Sequence, residues 1–225
     1  MKKVLSIIGV SIVIFFLWDT GVIYPLQLLV VFFHEASHAL MTKLTGGDVI
    51  EMAIVKEQGG HVMSSGGFPF LITSAGYLGS LLIGCGIFML SENKKYQKLL
   101  MAGLGIFVLG ITVFFVRNWF GFGFSLLTGG LLLVASRFLN NDYNSYIMKI
   151  IGLTSILYVP HDIYSDTIQR SNMVSDARIL AENYGGPTIL WGSIWLLCSF
   201  AIIIWMLRWT YKRGVEEEKT SSFEL

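Results

Sequence analysis

Val30-Val31-Phe32-Phe33-His34-Glu35-Ala36-Ser37-His38-Ala39-Leu40 places two histidines and a glutamate inside an otherwise apolar run. Ionisable side chains are expensive in lipid, and in membrane helices they face a bundle interior or a water-filled cavity. The run therefore asks for several helices packed around it. The composition supplies them: of 225 residues, 54% are hydrophobic and only 14% charged, with a mean hydropathy of +0.65. A soluble domain carries about 25% charged residues, so a soluble globular domain is excluded.

Working outward, apolar runs of bilayer-spanning length read as Pro25 to Leu44, Phe68 to Leu90, Leu99 to Val116, Phe122 to Leu139 and Thr188 to Leu207. A shorter run, Tyr146 to Val159, and an uncleaved first run ending at Trp18 bring the count to about six or seven. The expected fold is an all-α polytopic membrane protein, multi-pass in the cell membrane. One transmembrane domain covers residues 1–208, followed by a polar tail over 209–225. Two polar stretches interrupt the runs. Thr45 to Gly67 has β-prone residues from Val49 to Val55 between glycine-rich ends and predicts a short hairpin. His161 to Pro187 is too polar to cross, and Ser175 followed by Asp176 marks the start of a short helix.

The net charge of +1 and the scatter of Lys and Arg through short loops argue against nucleic acid as a partner. Cys85 and Cys198 each lie inside an apolar run, so no cysteine-rich zinc site can form. A metal would be held by histidine and carboxylate.

His34-Glu35-Ala36-Ser37-His38 has the spacing for that. On a helix, residues four apart face the same way one turn above the other, as two ligands of one zinc require. Glu35, beside the first ligand, is placed to take a proton from metal-bound water without ligating the ion. An open catalytic zinc normally has three protein ligands plus water. Asp162, closing the sixth run, is the leading candidate for the third. Asp176 is its rival, with His61, His161 and Asp166 behind.

The run His34 to Leu40, with Thr45-Gly46-Gly47, Ala75-Gly76-Tyr77-Leu78-Gly79, Arg117-Asn118 and Gly121, Asp162-Ile163-Tyr164 with Asp166-Thr167, Ser175-Asp176-Ala177, and Trp191-Gly192 with Trp195, resembles the compact branch of the site-2-protease-like zinc metallopeptidases. The resemblance covers roughly Pro25 to Trp195. It implies an intramembrane zinc protease that cuts a membrane-embedded protein or peptide within the lipid bilayer. In the best-known members an Asp followed by Gly supplies the third ligand, and no Asp-Gly pair stands here. Asn118 is a candidate contact for substrate backbone or an oxyanion, and Arg117 for a carboxylate; otherwise the pair closes a helix with a snorkelling Arg. Val49 to Val55 is a candidate edge for an unwound substrate. The competing class is a non-proteolytic membrane protein, a zinc-binding scaffold or an ion carrier built on the same His/Glu cluster.

Overall fold

The computed structural model describes residues 2–18, 20–170 and 174–223. Eight helices and one hairpin follow in the order α1 (Lys2–Phe16), α2 (Tyr24–Leu44), β1 (Asp48–Val55), β2 (Gly59–Ser65), α3 (Pro69–Ser91), α4 (Gln97–Phe115), α5 (Trp119–Phe138), α6 (Asn141–Tyr164), α7 (Asp176–Tyr184) and α8 (Thr188–Phe223). This is an all-α polytopic membrane protein with a short antiparallel hairpin. Among the described residues four segments are long and apolar enough to cross a membrane: α3, α4, α5 and the stretch of α8 from Thr188 to Glu216. Helices α2 and α6 have spanning length, 21 and 24 residues, and carry the polar groups described below. The apolar part of α1, Ile7–Phe16, is short. Helix α8 continues through the residues expected as a polar tail, as far as Phe223.

Helices α2, α3 and α6 form the centre, with apolar clusters on either side. In one, Phe32 and Phe33 of α2 pack with Met52 and Ile54 of β1 and Met101 and Val108 of α4. In the other, Tyr77 and Phe88 of α3 pack with Ile156 and Ile163 of α6, Leu180 of α7 and Trp195 of α8. Helices in lipid gain little hydrophobic energy from touching, so close backbone approach through small residues carries much of the association. The crossing of α3 and α6 shows it: a Cβ at Gly84 would stand 2.6 Å from Ser155 Cβ, and one at Gly152 would stand 2.8 Å from the Gly84 carbonyl oxygen. Ser155 Oγ also donates to the Ser80 carbonyl at 2.9 Å across this crossing.

The ends of the helices follow local chemistry. Pro25 sits in the first turn of α2 and Pro69 opens α3, where a missing N–H costs nothing. Asn140 caps α6 by accepting from the Tyr143 N–H at 3.0 Å. Toward its end α6 contains Pro160 and passes into one π-helical turn, Ser165–Gln169. Ser175 caps α7, accepting from the Arg178 N–H at 3.3 Å, and so holds Asp176 as that helix's first residue.

In the hairpin, Met52 pairs with Val62 and Ile54 with Gly60, with an irregularity between Val49 and Glu51. The other side of β1 is also taken. Met52 bridges to Val116 in parallel, and the Arg117 N–H donates to the Met52 carbonyl at 3.0 Å. The Asn118 side chain then imitates a strand partner: its Oδ1 accepts from the Ile54 N–H at 3.1 Å and its Nδ2 donates to the Ile54 carbonyl at 2.6 Å. Gly121 leaves room for this, since a Cβ there would meet Asn118 Oδ1 at 2.5 Å. Arg117 turns back on α4, its guanidinium donating to the carbonyls of Val113, Phe114 and Val116.

These contacts redirect three expectations. The Asn118 amide is bonded to β1 on both its donor and acceptor sides, Arg117 caps a helix C-terminus, and the outer edge of β1 is taken at Met52 and Ile54. In each case an unpaired backbone group near lipid takes the available partner, because leaving it bare costs several kcal/mol. Replacing Asn118 with Leu keeps the volume and removes both bonds to Ile54. The expected result is a loss of about 1–3 kcal/mol of stability, read as a lower thermal midpoint in detergent, with faster amide exchange of Ile54. Unchanged exchange there would show that Asn118 does not hold the strand.

Candidate metal centre

The site begins on one face of α2. His34 and His38, one turn apart, bring their Nε2 atoms to 3.0 Å. The Nδ1 of His38 lies 2.7 Å from the Ile72 carbonyl oxygen. A carbonyl only accepts, so Nδ1 carries a proton and Nε2 is the nitrogen turned inward, the orientation a metal ligand needs. The ring of His34 is held by Tyr77, which meets it edge-on with centroids 4.8 Å apart. Tyr77 is itself fixed by donating its hydroxyl to Asp166 and by packing on Trp195, centroids 5.1 Å apart.

Asp176 completes the group. Its Oδ2 lies 3.0 Å from His34 Nε2 and 3.2 Å from His38 Nε2. Burial alone would raise this carboxyl, but the two imidazoles outweigh burial and hold it well below the usual carboxylate range. Ligand atoms of His34, His38 and Asp176 all fall within 4.8 Å of one another. Two imidazole nitrogens and a carboxylate oxygen suit zinc, and donors about 2.0–2.2 Å from a tetrahedral ion stand about 3.3–3.6 Å apart. The donor set fits the ion after a small outward movement.

Glu35 is buried beside the histidines, 5% exposed, and belongs to the wall of the same cavity. Two glycines make the space. A Cβ at Gly76 of α3 would collide with the Nε2 atoms of both histidines, and one at Gly60 of β2 would stand 2.7 Å from Glu35 Oε1. The cavity has a volume of about 620 Å³, with β2 along one side and α7 closing another.

The structure separates the two rival aspartates. Asp176 stands with the imidazoles, whereas Asp162 lies 3.7 Å from the Arg170 guanidinium and forms part of the cavity wall. Asp166 accepts from Arg170 at 2.8 Å. His61 reaches Glu51, 3.2 Å away across the hairpin. His161 lies tilted against Trp18, centroids 5.2 Å apart, and does not line the cavity of the imidazole pair. Sequence reasoning assigned no role to Gly60, Gly76, Tyr77 or the Ile72 carbonyl. Gly76-Tyr77 stands in the Ala75 to Gly79 motif and Gly59-Gly60 at a hairpin end, but their service to the site depends on helix and strand packing that periodicity does not carry.

A model of the family described as Peptidase M50B-like matches residues 7–206. The comparison with curated proteins and that with solved structures each find no match. With most of its length matched, and with multi-pass helices around a buried His-Glu-His face, the chain belongs to the Peptidase M50B-like family, a family of membrane peptidases.

Proposed function

We propose that this protein is an intramembrane zinc metalloprotease that hydrolyses a peptide bond of a membrane-embedded protein, with His34, His38 and Asp176 as the metal ligands and Glu35 as general base. The observation that carries the proposal is the meeting of Asp176 with the two imidazoles at 3.0 and 3.2 Å, beside a buried glutamate that ligates nothing. Family membership supports a peptidase, and Peptidase M50 proteins are generally zinc-dependent.

Bound zinc would supply Lewis acidity, polarising a scissile carbonyl and lowering the pKa of water toward about 7. The residues of the chain do the rest. The Ile72 carbonyl holds the Nδ1–H of His38 and so fixes the ring with Nε2 as the atom that would ligate. Asp176 brings a negative charge to the ligand set, and its place at the start of α7, set by the Ser175 cap, determines how the carboxylate enters the site. Glu35 takes the proton from the attacking water and can return it to the leaving nitrogen. Gly60 lets the backbone of β2 lie close over that carboxylate.

A transmembrane segment hides its carbonyls in helical bonds and must unwind before attack. Unwound backbone needs partners. The outer edge of β1 is taken at Met52 and Ile54, and the strand placed to receive the unwound backbone is β2, whose residues from Gly59 to Ser64 border the cavity. Main-chain pairing to a strand edge is a general way of holding an extended peptide.

Two measurements on purified protein test the assignment. Glu35→Gln is expected to keep a full complement of zinc and to lose cleavage of a membrane substrate by at least about 10²-fold, the usual scale of general-base catalysis. Retained turnover would exclude Glu35 as the base, and loss of zinc would make it a ligand. Asp176→Asn is expected to weaken zinc binding by about tenfold or more, while Asp162→Asn keeps the metal. The reverse pattern would return the third ligand to Asp162, and zinc bound without any proteolysis would favour the scaffold or carrier reading.

A further inference from the structure

A second cavity adjoins the candidate active site. Its volume is about 530 Å³, and Gln58, Asp162 and Arg170 belong to the walls of both cavities. It lies between the end of α1, the start of α2, the hairpin turn and α6, and its aromatic wall comes from Trp18, Tyr24 and Tyr158. The rings are held in place: Trp18 and Tyr158 pack with centroids 5.6 Å apart, the Trp18 carbonyl accepts from buried Gln27 at 3.2 Å, and the Tyr24 hydroxyl donates to the Lys56 carbonyl at 2.7 Å.

Asp162 has no place among the three ligands, yet its side chain is only 20% exposed. Among the described residues its ion-pair partner is Arg170 at 3.7 Å, and Arg170 has a nearer partner in Asp166 at 2.8 Å. A mostly buried carboxylate with so distant a partner is costly unless a cation approaches it. The wall of the second cavity carries two carboxylates, Glu57 and Asp162, with the guanidinium of Arg170 and the imidazole of His161, and Lys56 stands 3.9 Å from Glu57 on the rim, which leaves Asp162 as the carboxylate at the junction. Aromatic rings beside carboxylates are suited to an alkyl stem ending in a cation.

We infer that the second cavity is a substrate subsite for a lysine or arginine side chain, with Asp162 as its specificity-determining residue. The inference rests on the proteolytic reading and extends it. A peptide paired along β2 passes Gly60 and Gly59 and then reaches the turn at Gln58, where the two cavities join. A residue a few positions from the scissile bond can then lay a side chain along the aromatic wall of Trp18, Tyr24 and Tyr158, its cation meeting Asp162 at the junction. Selectivity arises because a neutral side chain leaves that carboxylate with only its distant partner.

The test uses full-length, zinc-loaded Glu35→Gln protein in phosphatidylcholine nanodiscs, which offer no primary ammonium of their own. The probes are Ala/Gly-rich apolar peptides carrying a single Lys, norleucine or Glu, moved one position at a time. At one register, Lys is expected to bind at least about tenfold tighter than norleucine, with Glu the weakest; a tenfold ratio corresponds to about 1.4 kcal/mol. Adding Asp162→Asn should bring the ratio close to one with zinc content unchanged, and Asp162→Glu should restore part of it. Equal binding of Lys and norleucine at every register, or a preference that survives Asp162→Asn, would overturn the subsite. Wild-type protein run on the same peptides separates the two levels: cleavage without a Lys preference removes the subsite and leaves the protease, whereas a Lys preference without cleavage does the opposite.

Discussion

Two imidazoles and a carboxylate on one turn of α2 must be kept in a bundle whose surroundings reject charge, and most of the structure answers that constraint. An ionisable group taken from water without partners costs several kcal/mol. Here each finds its compensation locally. His38 has the Ile72 carbonyl, both imidazoles have Asp176, and Glu35 faces a cavity instead of lipid. The arrangement also needs empty volume in the right places. Gly76 and Gly60 supply it, since at either position a Cβ would run into the polar side chains of α2.

The elements around the site follow from the same lack of water. Helices α3 and α6 can close on each other because Gly84 and Gly152 let their backbones approach, and this brings Tyr77, Asp162 and Asp166 to the end of the bundle where α2 presents its histidines. The hairpin, which would expose bare backbone as an isolated pair of strands, is held from outside by Asn118 and the Arg117 N–H. The consequence is functional as well as structural. With the outer edge of β1 taken at Met52 and Ile54, the strand that the proposed mechanism uses is β2, which passes over Glu35.

Much of this was legible in the sequence because it depends on local or periodic signals. The apolar runs mark the helices, i to i+4 spacing puts His34 and His38 on one face, the glycine-rich ends of Thr45 to Gly67 announce the hairpin, and Ser175 before Asp176 announces the start of α7. The choice between Asp162 and Asp176 was not legible. It depends on how α7 folds back against α2 and α3 after a turn of π-helix, and no spacing within the chain encodes that. The surroundings of Asn118 were not legible for a related reason: an amide beside an arginine at a helix break has the chemistry of a substrate contact, and its bonds to Ile54 follow from the position of β1.

The claim at the centre of the mechanism is a single zinc bound by two histidines and one aspartate within the bundle. X-ray absorption at the zinc edge of the purified wild-type protein reads that ligand set directly. The expected result is one zinc per chain, with two imidazoles and light oxygen or nitrogen scatterers at about 2.0–2.2 Å and no sulfur. Absence of stoichiometric zinc, or a six-coordinate ion surrounded by oxygen without imidazole, would contradict it.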